Sequence, residues 1–100
     1  ANWYTVGTDS NGVTWSIDND SVKKDDKKAV MDIKAMDYEG YHYIVTEEFN
    51  HKKREVKDLK VTLYNPQGYV VKEEQVNKNS RKVEPGTPAY AVFQLIWGGK

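Results

Sequence analysis

Cysteine is absent from this 100-residue chain. That excludes a disulfide framework, thiol catalysis and zinc sites built on thiolates. It leaves the compartment open, because secreted proteins without cysteine are common. A surplus of one charge is absent too: Lys+Arg and Asp+Glu stand at 15 each. A general nucleic-acid binder carries a basic excess, so no nucleic-acid partner is expected. Bulk attraction to an acidic membrane is not expected either. No apolar run reaches the roughly 18 residues that would mark a membrane span. The chain does not open on methionine, and Ala1-Asn-Trp-Tyr4 is already strand-like. An export signal or lipid anchor removed from a precursor is therefore expected.

What is present fits one domain, over residues 1–97, with 98–100 as a tail. Charged residues make up 30% and aromatics 12% of the chain, so burial is available to offset chain entropy and disorder is not expected. Trp3 to Thr8 is rich in aromatic and β-branched residues and reads as a strand. Asp9-Ser-Asn-Gly12 is a hairpin turn, followed by a strand over Val13–Ile17 that alternates apolar and polar. Asp18 to Val22 is a turn whose side chains can bond nearby amides. Lys23 to Lys28 holds no apolar residue and reads as a solvated loop tip. Ala29–Met36 and Tyr41–Phe49 are the next strands, separated by a turn at Asp37–Gly40. In the first, Ala29, Met31, Ile33 and Ala35 point inward. In the second, the odd positions from Tyr41 to Phe49 are the more apolar and face the core. After a basic corner at Asn50–Arg54 come strands over Val56–Asn65 and Tyr69–Val76, joined by Asn65-Pro-Gln-Gly68. Leu59, Val61 and Leu63 share one face of the former. Asn77–Arg81 is a polar loop.

Near the end of the chain, Thr87 is placed to cap a helix whose first residue is Pro88. Ala89, Val92, Phe93, Ile96 and Trp97 recur at helical spacing and form one apolar stripe. Ten residues of helix are too short to hold alone in water. The helix must lie on the sheet, so the fold class is α+β: about six antiparallel strands with a C-terminal helix packed on one face.

Candidate chemistry is sparse. His42 and His51, nine apart, point to opposite faces of one strand and read as two solvated histidines, with no metal site. Glu47-Glu48 and Glu73-Glu74 are sequence neighbours and also face opposite ways, so neither is a ready carboxylate pair. One of Glu47 or Glu48 is expected to be buried against a basic side chain. No serine stands in a nucleophile-elbow pattern, and no glycine pattern resembles a phosphate loop. No catalytic residue and no cofactor are assigned, and the chain is not expected to be an enzyme. His51, Lys52, Lys53 and Arg54 form the densest positive patch, with Lys57 and Lys60 behind it. Two readings stand: a contact for an anionic partner, or a basic corner balanced by Glu47, Glu48 and Glu55. Tyrosines 38, 41, 43, 64 and 69 gather around the turns, either as a binding surface or as cross-strand pairs.

In order and spacing, several features resemble the surface-adhesin protein E family of bacterial envelope proteins. They are the early Trp3, the Asp18-Asn-Asp-Ser-Val22 segment, strand Ala29–Met36, and the Glu47-Glu48 strand with its basic tail through Arg54. They continue with Tyr64 followed by Gly68-Tyr-Val-Val71, and with Val83-Glu-Pro-Gly-Thr87 ahead of the helix. The likeness runs from Trp3 to Trp97. It implies an antiparallel sheet with a C-terminal helix on its concave face, export to the cell envelope, often lipid anchoring, and a host-matrix adhesin that dimerises. The family commonly ties helix to sheet by a disulfide. Here Phe49 stands near the first cysteine position and Trp97 near the second. A disulfide closing such a loop contributes roughly 4 kcal/mol, and a buried Phe or Trp about 3–5 kcal/mol. The resemblance thus implies a packed tether of Phe49, Phe93, Ile96 and Trp97, with Phe49 against Trp97. The expected function is a non-enzymatic adhesin-like domain that binds extracellular matrix protein or anionic (sulfated) glycan. Self-association through sheet edges into a homodimer, and small-molecule carriage between helix and sheet, are the alternatives.

Overall fold

A computed structural model describes residues 1–76 and 79–98. Its strands are β1 (Trp3–Thr8), β2 (Thr14–Asp18), β3 (Lys23–Lys24), β4 (Lys28–Met36), β5 (His42–Asn50), β6 (Glu55–Tyr64), β7 (Val70–Gln75) and β8 (Arg81–Lys82), and they precede the α-helix α1 (Pro88–Trp97). The main path is six antiparallel strands in the order β1-β2-β4-β5-β6-β7, while β3 pairs with β4 and β8 with β6. Among the described residues the sheet therefore has eight strands, two more than the reading from sequence. The additions fall where loops were expected. Lys23 and Lys24 pair with Val30 and Ala29, and Arg81 and Lys82 pair with Val56 and Glu55. Both additions are two-residue strands without an apolar residue, so they carry no periodic signal. Asn77 and Lys78, in the expected polar loop, lie outside the described residues.

The core follows from register. Ile17 pairs with Ile33, Ala29 with Phe49, and Phe49 with Val56, so these side chains share one face, the inner face. Val92, Phe93 and Ile96 of α1 join them, with Met31 and Val83, in one buried cluster. Thr87 caps the helix by accepting from the Tyr90 N–H, and Pro88 opens it. Gly98, expected as tail, closes the helix in the left-handed region with φ 64° and donates to the Gln94 carbonyl at 2.6 Å. Gly99 and Lys100 lie outside the described residues.

Two further expectations change. Tyr43 of β5, and Tyr41 just ahead of it, fall on the odd positions expected to face the core, yet they are 49% and 45% exposed. A ten-residue helix is about 15 Å long, whereas a nine-residue strand spans about 30 Å. The helix cannot cover the whole strand. On the other face, expected to be wet, Ser16, Asp18 and Thr62 are buried. The N-terminal segment contributes to that cover: the Asn2 N–H donates to Asp18 Oδ1 at 2.8 Å, and Lys34 Nζ lies 4.4 Å from the centre of the Trp3 ring.

Candidate functional site

The two ends of the sheet differ in chemistry. At one end three hairpin turns repeat a single construction. Asp9, Asp37 and Asn65 each accept through a side-chain oxygen from the backbone N–H groups two and four residues on. Each turn is closed by a glycine in positive φ: Gly12, Gly40 and Gly68. Gly40 is also where a Cβ would come within 3.2 Å of the Pro66 side chain, so the neighbouring turns pack closely. This end displays Tyr38 and Tyr69, 84% and 72% exposed, while Tyr64 stacks on His42 at 5.0 Å. Tyr64 thus serves as a cross-strand pair, whereas Tyr38 and Tyr69 stay exposed.

The opposite end is basic. The turn between β3 and β4 meets the turn between β5 and β6: the His51 N–H donates to the Lys27 carbonyl, and His51 Nδ1 donates to the Asp26 carbonyl, both at 2.9 Å. The patch expected from sequence divides here. His51 stacks on Trp97 with ring centres 4.3 Å apart, and the Arg54 guanidinium lies 4.7 Å over the Phe93 ring. Lys52 and Lys53 are exposed, as is Lys27 beside them. Lys24 Nζ donates to the Ile96 carbonyl at 2.7 Å, and Trp97 Nε1 donates to the Asp25 carbonyl at 3.1 Å. The Asp25 carboxylate accepts from the Lys28 and Lys27 N–H groups, which hold its pKa below the usual value.

A third feature lies on the inner face. Glu47 of β5 stands directly opposite Asp58 of β6, and Arg81 of β8 reaches both: its Nη2 is 3.1 Å from Glu47 Oε2 and its Nη1 is 3.2 Å from Asp58 Oδ1. Glu47 is 7% exposed. Burial pushes its carboxyl up to about 8, helped by the hydrogen bond and negative charge of Asp58 and opposed by Arg81. These groups line a groove of about 400 Å³ whose other walls include Trp15, Ile33 and Ala89. The expectation that Glu47 or Glu48 meets a basic side chain describes Glu47 well. The partnership with Asp58 was not foreseen, because a β-bulge intervenes. The β5–β6 register shifts between Thr46 and Glu47, leaving Leu59 as the extra residue. Strict alternation from Leu59 and Val61 puts Asp58 on the outer face; the bulge turns Asp58 and Val56 inward. Among the described residues no group of three or more His, Cys, Asp or Glu side chains is placed to hold a metal ion.

The surface-adhesin protein E family matches this chain over residues 3–96. The chain belongs to that family. No curated protein and no solved structure matches it. Membership in the surface-adhesin E family points to a surface adhesin-like role and to a cell-surface or exported location. No helix among the described residues is long and apolar enough to cross a membrane.

Membership in the surface-adhesin E family brings the cysteine-free helix attachment into focus. Phe49 and Phe93 are fully buried, and Ile96 is 9% exposed. Trp97 is half-buried, and its ring contacts among the described residues are with His51 and with Phe93, the latter at 5.0 Å. The ring that meets Trp97 from β5's end of the sheet is thus His51, two residues beyond Phe49. An apolar stripe read from sequence has no means of counting an imidazole as a packing surface.

Proposed function

We propose that this surface-adhesin E domain is an exported binding module of the bacterial cell envelope that engages an anionic partner through its basic end. The partner class is a sulfated glycan or an acidic patch of a host matrix protein. The observation that supports this reading is the convergence of two lysine-bearing turns, distant in sequence, that leave Lys27, Lys52 and Lys53 exposed together. His51 and Arg54 secure the helix behind them, so the lysines stand on a fixed base. Contacts of this kind are exposed and therefore screened by salt. The Lys52→Glu/Lys53→Glu variant is expected to elute from a heparin column at clearly lower salt than the parent. Lys72→Glu, on edge strand β7, is expected to change elution little. Equal elution of all three proteins would refute the basic-end reading. Arg54 is best left intact in this experiment, since its guanidinium covers Phe93.

A second reading, self-association through a sheet edge, is supported by β7. Every residue of this outer strand is exposed, and Tyr69, Val70 and Val71 add 72%, 58% and 56% exposed apolar side chains. Sedimentation should then show a dimer that Val71→Lys dissolves. A strict monomer at high concentration would exclude this route.

A further inference from the structure

We propose that the groove between β8, the inner face of the sheet and the start of α1 is a binding site for a neutral saccharide. In this site the apolar face of a sugar ring lies against Trp15, and its hydroxyls bridge Asp58, Glu47 and Arg81. The site goes beyond the basic end and shares no residue with it.

The groove encloses about 400 Å³, within the usual range for small-molecule sites. One wall is apolar, from Trp15, Ile33 and Ala89, and the other carries planar polar groups. The Trp15 indole is held in place by its N–H, which donates to Asp9 Oδ2 at 3.3 Å. Trp15 also lines an adjoining depression of about 240 Å³ beside Val6, Gly7 and Pro88, so a second sugar unit has somewhere to continue. Carboxyl and guanidinium groups held side by side offer acceptors and donors within 3.1 and 3.2 Å of one another, which suits a pair of neighbouring hydroxyls.

Charge selects among ligand classes. With Glu47 protonated at neutral pH, as its burial dictates, Asp58 and Arg81 cancel and the constellation is neutral. An anion entering here would face Asp58 and also Glu84, while Lys82, which lines the same groove, is already engaged by Glu55 at 3.6 Å and by the Lys53 carbonyl at 2.9 Å. An amine would have to displace Arg81 from two partners at 3.1 and 3.2 Å. A neutral polyol does neither. It needs only to add bonds to groups already aligned, and Arg81, whose side chain is 51% exposed, keeps N–H donors within its reach.

The test is titration of the isotope-labelled protein with the methyl glycosides of glucose, galactose, mannose and N-acetylglucosamine, followed by amide and indole NMR shifts. At least one is expected to give saturable shifts centred on Trp15, Glu47, Asp58 and Arg81. Affinity in the millimolar range is expected, as suits a single sugar in an open groove. Asp58→Asn keeps the size of the side chain and should weaken that binding by about tenfold or more. Trp15→Phe keeps an aromatic in the packing and should weaken it as well, while Lys72→Ala should not. Shift dispersion reports folding of each variant independently. The absence of saturable shifts with all four sugars would overturn the proposal. So would shifts centred elsewhere, unchanged affinity in both Asp58→Asn and Trp15→Phe, or preference for glucuronate or glucosamine over the neutral sugars. Heparin binding at the basic end is read separately, so either result can fail without the other.

Discussion

Truncating Phe49 to alanine is expected to cost about 3–5 kcal/mol of unfolding free energy, the range for fully buried aromatics. Phe49 has no exposed surface, stands between Ala29 and Val56 across three central strands, and belongs to the cluster that receives Val92, Phe93 and Ile96. The alanine would leave a cavity where helix and sheet meet, and strands on both sides limit collapse into it. Trp97→Ala should cost less, about 1–3 kcal/mol. It removes a half-exposed ring, its stack on His51, its edge contact with Phe93 and one hydrogen bond to the Asp25 carbonyl. Denaturant unfolding checks both, through midpoints that shift at unchanged slope. Losses below about 1 kcal/mol for both variants would show that the helix is not held in this way. A larger loss for Trp97 than for Phe49 would move the anchor to the helix end. A double-mutant cycle between His51→Ala and Trp97→Ala should show a coupling of about 0.5–1.5 kcal/mol.

Stability is expected to fall as pH rises from about 5 to 8, and Glu47→Gln should abolish most of that slope. The carboxyl of Glu47 is raised from an ordinary value near 4.5 to about 8, first by burial and then by Asp58, with Arg81 opposing. A folded-state pKa above the unfolded one means that the folded protein holds the extra proton between those two values. The stabilisation is complete below about 4.5 and is lost as pH climbs through 8. Each pH unit in that window can remove up to about 1.4 kcal/mol, so the total between pH 5 and 8 is on the order of 2–4 kcal/mol. Glutamine reproduces the protonated side chain: its oxygen accepts from Arg81 and its amide donates to Asp58. The variant should match the parent near pH 5 and exceed it near pH 8. Midpoints measured at both values decide the matter. A parent whose stability is flat or rising over this range, with Glu47→Gln tracking it in parallel, would contradict the assignment.

Much of this domain is legible from local chemistry. The hairpin turn at Asn11-Gly12, the Thr87 cap with Pro88 and the apolar stripe of α1 are all written in contiguous residues. Their signals are short-range: a side-chain oxygen bonding an amide a few residues on, or a repeat matched to one helical turn. The order of motifs from Trp3 to the final helix was enough to indicate the surface-adhesin E family. The basic corner was visible as well, because four polar or charged residues in a row need no fold to be noticed.

What tertiary structure decided is which of those residues remain available. Only the docking of α1 on the sheet commits His51 to Trp97 and Arg54 to Phe93, leaving Lys52 and Lys53 exposed. Only the bulge at Leu59 places Asp58 opposite Glu47, and only the two-residue strand β8 brings Arg81 onto both. A bulge shifts the phase of the alternation and so changes the face of every residue beyond it, without altering composition. The sequence by itself therefore determined the six main strands, the helix and the family. The pairing of three charged groups from separate strands depended on register, which is a property of the assembled sheet.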